Sequence, residues 1–69
     1  MMINWRDGFS IRVNTDGNTV TLAANREGLL SLADILKSLA EEKPGSHVHL
    51  DAYKSLEDGS VELIAERIP

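Results

Sequence analysis

The chain has 69 residues, of which 42% are hydrophobic and none is a cysteine. We therefore expect one small domain over residues 1–69, without a disulfide framework or a thiolate metal site. Eleven acidic and seven basic residues give a net charge of −4, and the basic residues are scattered. This argues against a nucleic-acid partner, which would require a basic stripe.

The first nine residues lack the composition of a secretion signal, and no segment approaches ~18 apolar residues. We predict a cytoplasmic protein with no membrane contact.

The first predicted element is a β-hairpin. Apolar and polar residues alternate on both sides of Asp16-Gly17, as expected for two strands that each bury one face. An Asp-Gly pair favours a two-residue type I′ turn, which requires positive φ at both central residues. A loop at 16–17 pairs apolar residues across the strands, Val13 with Val20 and Ile11 with Leu22.

A helix over about residues 26–42 follows. Asn25 can cap its N-terminus, Glu27 suits the positive end of the helix dipole, and Pro44 ends it. Gly28 in the first turn either allows a close approach to the sheet or has no structural role. Apolar residues at helical spacing predict the buried face, which comprises Leu29, Leu32, Ala33, Leu36, Leu39 and Ala40.

The most regular alternation in the chain lies in residues 46–52 and predicts the third strand. One face of this strand is apolar and the other carries titratable groups. The apolar face, which we expect to contact the core, comprises Val48, Leu50 and Ala52. The titratable face comprises His47, His49 and Asp51.

The last predicted strand covers about residues 60–66. Its inward residues are Val61, Leu63 and Ala65, and its outward residues are Glu62, Ile64 and Glu66. If inward residues pair with inward residues, the outward ones also face each other across the two strands. The expected outward pairs are Asp51 with Glu62, His49 with Ile64, and His47 with Glu66.

These elements predict an α+β fold of order ββαββ. We expect a single four-stranded antiparallel sheet with strand order 2-1-3-4, which a right-handed crossover through the helix would produce. The helix packs on one face of this sheet, and the other face stays open, as antiparallel sheets allow. The open face would carry Arg12, His47, His49, Asp51, Glu62, Ile64 and Glu66.

Two histidines two residues apart on a strand form a known zinc arrangement, because their imidazoles project side by side. Asp51 lies ~13 Å along the strand from His47 and cannot bind the same ion. A third ligand must come from the neighbouring strand, where Glu66 is the candidate. Because this ligand depends on an assumed register, we predict no metal and no cofactor. We also predict no catalytic residues, since an exposed sheet provides neither a pocket nor desolvation.

Protein recognition is the alternative use of the open face. A flat polar surface with a few apolar points suits a protein interface. Trp5, in the N-terminal arm, either contributes binding energy as an interface residue or closes one end of the core. The predicted partner-binding residues are Trp5, His47, His49, Asp51, Glu62 and Ile64.

Three segments resemble a known family, namely Asn25–Ala33 (NREGLLSLA), Gly45–Asp51 (GSHVHLD) and Leu56–Ile64 (LEDGSVELI). Together they are similar to the bacterial polymorphic-toxin immunity protein family thirty-two over about residues 25–66. The GSHVHLD run is the unusual segment, whereas leucine-rich helices are common. The resemblance implies a small cytoplasmic protein that binds and blocks a toxin made by the same or a neighbouring cell. It implies no catalytic residues.

Three functions are compatible with these observations. The first is a protein-binding module, most specifically an immunity protein that occludes a toxin. The acidic composition then favours a basic toxin domain as the partner. The second is a small metal- or ligand-binding protein, or an enzyme, that uses His47 and His49. The third is a homodimer formed through the open sheet or an edge strand.

Overall fold

The computed structural model describes residues 2–69 and has the predicted element order ββαββ. The first hairpin consists of β1 (Ile11–Asp16) and β2 (Thr19–Ala24). The helix α1 covers Arg26–Ala40 and ends two residues before the predicted boundary. The second hairpin consists of β3 (His47–Leu50) and β4 (Leu63–Glu66).

The predicted single four-stranded sheet is wrong. The strands form two separate two-stranded antiparallel sheets, β1-β2 and β3-β4. Residues 57–61, which precede β4, lie along the edge of β1. The Glu57 N–H donates to the Ile11 carbonyl and the Val61 N–H to the Val13 carbonyl, each at 2.8 Å. The two donors are four residues apart in this segment, whereas the two acceptors are two residues apart in β1. The segment therefore does not extend a regular ladder.

The predicted strand order 2-1-3-4 is wrong for the same reason. The segment that leads into β4, and not β3, lies beside β1. Side-chain bonds hold it there as well, because the Val13 N–H donates to Ser60 Oγ at 3.1 Å. The second hairpin is therefore joined to the first through the chain before β4. Its outer face is consequently separate from that of β1-β2, which carries Arg12.

The register of the first hairpin also differs from the prediction. Val13 pairs with Leu22 and Ile11 with Ala24, and the two-residue loop is Gly17-Asn18. Within this turn, Gly17 has a positive φ of 58° and Asn18 does not. A type II′ turn requires positive φ at its first central residue alone, whereas type I′ requires it at both. Gly17 therefore takes the first central position instead of the second.

The start of α1 is fixed by Asn25, as the sequence predicted. Its Oδ1 accepts the Gly28 N–H at 2.8 Å, which satisfies one of the free donors of the first turn. The same oxygen accepts the Ser10 N–H at 3.0 Å, and Asn25 Nδ2 donates to the Gly8 carbonyl at 2.8 Å. This one side chain thus caps the helix and ties it to the chain that enters β1.

The buried face of α1 is rotated from the predicted one. Leu29 and Leu36, both expected in the core, are 52% and 53% exposed. A Cβ on Gly28 would lie 2.5 Å from the Ser10 carbonyl oxygen, so the glycine allows a close approach to the sheet. Ser31 is buried because its Oγ accepts the Arg6 N–H at 3.0 Å from the N-terminal arm. The buried residues of α1 are Gly28, Ser31, Leu32, Ile35 and Leu39.

The core lies between α1 and the inner faces of both sheets. Val13 and Leu50 each bring one sheet into it, and Leu56 enters from the turn after β3. Trp5 and Phe9 pack against this cluster and stack on each other, with ring centroids 4.5 Å apart and planes inclined by 17°. The buried cluster comprises Ile11, Val13, Leu32, Leu50 and Leu56.

Candidate protein-binding surface

The outer face of the second hairpin brings together the two histidines and their cross-strand partners. In β3, Val48 and Leu50 are buried, and the alternating histidines are exposed. The β3-β4 register sets His47 opposite Glu66 and His49 opposite Ile64, so these two predicted pairs are confirmed. We call this surface the histidine face and define it as His47, His49, Glu62, Ile64 and Glu66.

Each imidazole of the histidine face has a defined contact. His49 Nδ1 lies 3.2 Å from Glu62 Oε2, within hydrogen-bond distance, and the two side chains are about half exposed. His47 Nδ1 lies 3.1 Å from the Gly45 carbonyl oxygen. The two rings meet edge to face, with centroids 5.0 Å apart and planes inclined by 63°. These contacts orient both imidazoles on the surface of the sheet.

Ile64 is the apolar member of the histidine face. It is 50% exposed, and it lies directly across from His49 in the β3-β4 ladder. An apolar side chain surrounded by polar groups resembles the centre and rim of a protein interface. Such a surface can bury Ile64 against a partner while its charged residues remain at the margin.

Asp51 and Arg12 were both predicted on the same open face, but neither belongs to the histidine face. Arg12 lies in β1, on the other sheet. Asp51 Oδ1 accepts the backbone N–H groups of Tyr53 at 3.0 Å and Lys54 at 3.1 Å. Its carbonyl also accepts the Leu56 N–H at 2.8 Å, so Asp51 organises the turn that leads to a buried residue. β3 ends at Leu50, and the expected pair of Asp51 with Glu62 is not part of the ladder.

Trp5 lies away from the histidine face. It is partly buried, it stacks on Phe9, and it packs against the core cluster. Next to it, Arg6 connects the N-terminal arm to α1 through its backbone bond to Ser31 and an ion pair with Asp34 at 3.0 Å. The arm that carries Trp5 is thereby fixed along one side of the helix.

The part of the chain that carries most of the histidine face is acidic. Five of the eleven acidic residues fall in 51–66, where Lys54 is the single basic residue. Glu66 belongs to this group, yet it was not among the predicted partner-binding residues. The predicted pairing of His47 with Glu66 was the signal that could have included it.

Residues 2–69 contain no cluster of three or more His, Cys, Asp or Glu side chains placed to hold a metal ion. Glu66 lies opposite His47 in the register, but its side chain is not placed to bind one ion together with both histidines. Over the same residues, no helix has the length and apolar character needed to cross a membrane.

Comparison with known protein families finds one family model that matches most of the chain. The model of the immunity protein 32 family matches residues 19–68, which are 50 of the 69 residues. The chain belongs to the immunity protein 32 family. This confirms the resemblance inferred from the three sequence segments, and the match includes α1 and the complete histidine face. No curated protein and no solved structure matches the chain.

Proposed function

We propose that this member of the immunity protein 32 family binds a bacterial toxin and blocks it by occlusion, through the histidine face. Membership of the family is the observation that carries the proposal. The protein acts in the cytoplasm of the cell that it protects. It protects that cell by covering a surface of the toxin, and it catalyses no reaction.

The position of the titratable groups supports binding over catalysis. The side chains of His49 and Glu62 are about half exposed, so both groups remain in contact with water. Catalytic acids and bases are usually tuned by desolvation in a cleft. A half-exposed Ile64 surrounded by polar side chains suits a protein partner better than a small substrate.

The acidic residues favour a toxin with a basic contact surface. Glu62 and Glu66 lie on the histidine face, within a segment that carries five acidic residues and one lysine. Complementary charges accelerate the encounter of two proteins and orient it, more than they strengthen the final complex. We therefore expect Glu62 to affect the association rate and Ile64 the dissociation rate.

The decisive experiment compares two apolar residues of equal exposure. Ile64 is 50% exposed on the histidine face and Leu36 is 53% exposed on α1. The product of the adjacent gene, tested as the toxin, is purified, and its complex with Ile64→Arg and Leu36→Arg is measured by biolayer interferometry. Ile64→Arg should weaken binding about 30-fold through faster dissociation, as for a central interface residue worth ~2 kcal/mol. Leu36→Arg should leave binding unchanged.

The charge contribution is tested by Glu62→Lys, with Asp16→Lys on β1 as its control. Both positions are exposed acidic residues, but Asp16 ends β1, whereas Glu62 immediately precedes β4. Glu62→Lys should slow association and flatten its dependence on salt concentration, whereas Asp16→Lys should do neither beyond the effect of net charge. Loss of binding in Leu36→Arg with no change in Ile64→Arg would move the toxin site to the helix. Failure of the folded protein to bind or protect against the toxin would refute the immunity function itself.

A further inference from the structure

The outer edge of β2 is an unprotected strand edge. β2 pairs with β1 on one side, and no other strand of residues 2–69 lies along its second side. Its six residues, Thr19–Ala24, pair with β1 without interruption by a bulge. Proteins commonly protect such edges with lysine, proline, bulges or very short strands, because free N–H and C=O groups recruit other strands.

None of these protections is present in β2. Its sequence, TVTLAA, contains no charged residue and no proline, and Thr, Val and Leu favour or tolerate a strand. The other hairpin offers a comparison within the same molecule. β3 has only four residues, and two of them are histidines. β4 is equally short and ends in a glutamate, so β2 has less protection than either strand of that hairpin.

The side chains of β2 leave apolar surface beside this edge. Val20 and Leu22 share the inner face with Val13, since Val13 pairs with Leu22 and Thr15 with Val20. However, Val20 is 64% exposed and Leu22 is 40% exposed, so the rest of the chain covers them incompletely. An additional strand along β2 would bury both.

We propose that β2 pairs with β2 of a second copy of this chain, in an antiparallel arrangement centred on Thr21. Across the two-fold axis, cross-strand partners must lie on the same face of the sheet. This centre sets Thr21 opposite Thr21 of the second copy and Val20 opposite its Leu22. The two exposed apolar residues thereby cover each other, and β2 carries no charge that would repel its own copy.

The resulting dimer has one continuous four-stranded sheet, with the two β1 strands at its edges. A domain of about 60 residues buries only ~60% of its unfolded surface, which limits its stability. Dimer formation buries additional apolar surface and so adds to that stability. The histidine face lies on the other hairpin. The dimer contact is thus separate from the proposed toxin site, and each copy keeps that surface free.

The first test uses charge at the two-fold axis, measured by sedimentation equilibrium. The wild-type protein should sediment at twice the 7.6 kDa of a single chain. Thr21→Lys and Thr21→Asp should each be monomeric, because like charges then oppose each other directly. An equimolar mixture of the two variants should restore the dimer. Thr15→Lys, an exposed threonine of β1, should stay dimeric and controls for the added charge.

The second test uses the absence of native cysteine from the sequence. Directly opposed residues of antiparallel strands have Cβ atoms ~4.5–5.5 Å apart, close enough for a disulfide after small adjustment. Thr21→Cys should therefore cross-link into a dimer under mild oxidation at low protein concentration, and Thr15→Cys should not. A monomeric wild type at every concentration overturns the proposal. A dimer that survives Thr21→Lys also overturns it and transfers the contact to another surface, such as the exposed side of α1.

Discussion

Replacement of Gly28 by alanine should destabilise the protein, although alanine is the better helix former. From helix propensity alone, Gly28→Ala should gain ~1 kcal/mol. In the structure, the new Cβ would lie 2.5 Å from the Ser10 carbonyl oxygen and 2.9 Å from Ile11 Cγ1. The first neighbour is backbone, so α1 and the start of β1 must move apart.

The magnitude follows from three contributions. Overpacking of a well-packed site costs ~1–3 kcal/mol. Ser10 also bonds Asn25 in both directions, at 3.0 Å and 3.1 Å, so its displacement weakens a helix cap worth ~1 kcal/mol. The gain in helix propensity offsets ~1 kcal/mol of these losses. We expect a net loss of about 2 kcal/mol in the free energy of unfolding, or ~10 °C in the melting temperature of so small a domain.

Urea denaturation followed by the fluorescence of Trp5, the one tryptophan of the chain, measures this loss. Ala33→Gly is the control, because Ala33 is an exposed residue of the same helix. It should lose ~1 kcal/mol through propensity alone. Glycine to alanine at one position of α1 and alanine to glycine at another would then both destabilise the protein. A Gly28→Ala variant as stable as the wild type, or more stable, would show that the helix does not contact β1 as closely as described.

Substitutions at four further positions test the helix orientation, the helix cap and the turn after β3, all by urea denaturation. Ile35→Ala should cost ~2–5 kcal/mol because Ile35 is buried, whereas Leu36→Ala should cost less than ~1 kcal/mol, and equal losses would contradict the observed rotation of α1. Asn25→Ala should cost ~1–2 kcal/mol through the lost cap, and a neutral effect would contradict its role. Asp51→Ala should cost ~1 kcal/mol and Asp51→Asn much less, since asparagine retains an acceptor oxygen.

The sequence alone determined the features that depend on neighbouring residues. Asn25 and Pro44 set the ends of α1 to within two residues, because capping and the conformation before proline are local effects. The alternation in β3 and β4 also predicted which residues face outward, and two of the three outward pairs expected from an assumed register are present. His47, His49 and Ile64 of the histidine face could therefore be placed together before the structure was known. Family membership, too, was visible in the sequence segments.

The register of the first hairpin could not be chosen from the sequence pattern. The predicted register pairs Val13 with Val20, and the observed one pairs Val13 with Leu22. The two differ by two residues, which is the side-chain period of a strand, so both put the same residues on the inner face. Only the conformation of the turn, with positive φ at Gly17, distinguishes them.

The buried face of α1 was undetermined for a related reason. Apolar residues surround more than half of the helix, and Leu32 and Leu39 belong to both the predicted and the observed face. Periodicity cannot select one of two overlapping stripes. The selection is made by contacts distant in sequence: Gly28 against Ser10, and Ser31 against Arg6 of the N-terminal arm.

The arrangement of the two sheets was decided by tertiary structure alone. Nothing local to residues 57–61 indicates that their N–H groups bond to β1, more than forty residues earlier in the chain. The same holds for Asp51, whose strand pattern predicted an outward side chain before its bonds to the following turn were known. Strand periodicity reports which face a residue occupies within its own strand. It does not report where that strand ends or which strand lies beside it, because both depend on hydrogen-bond partners brought together only by the folded chain.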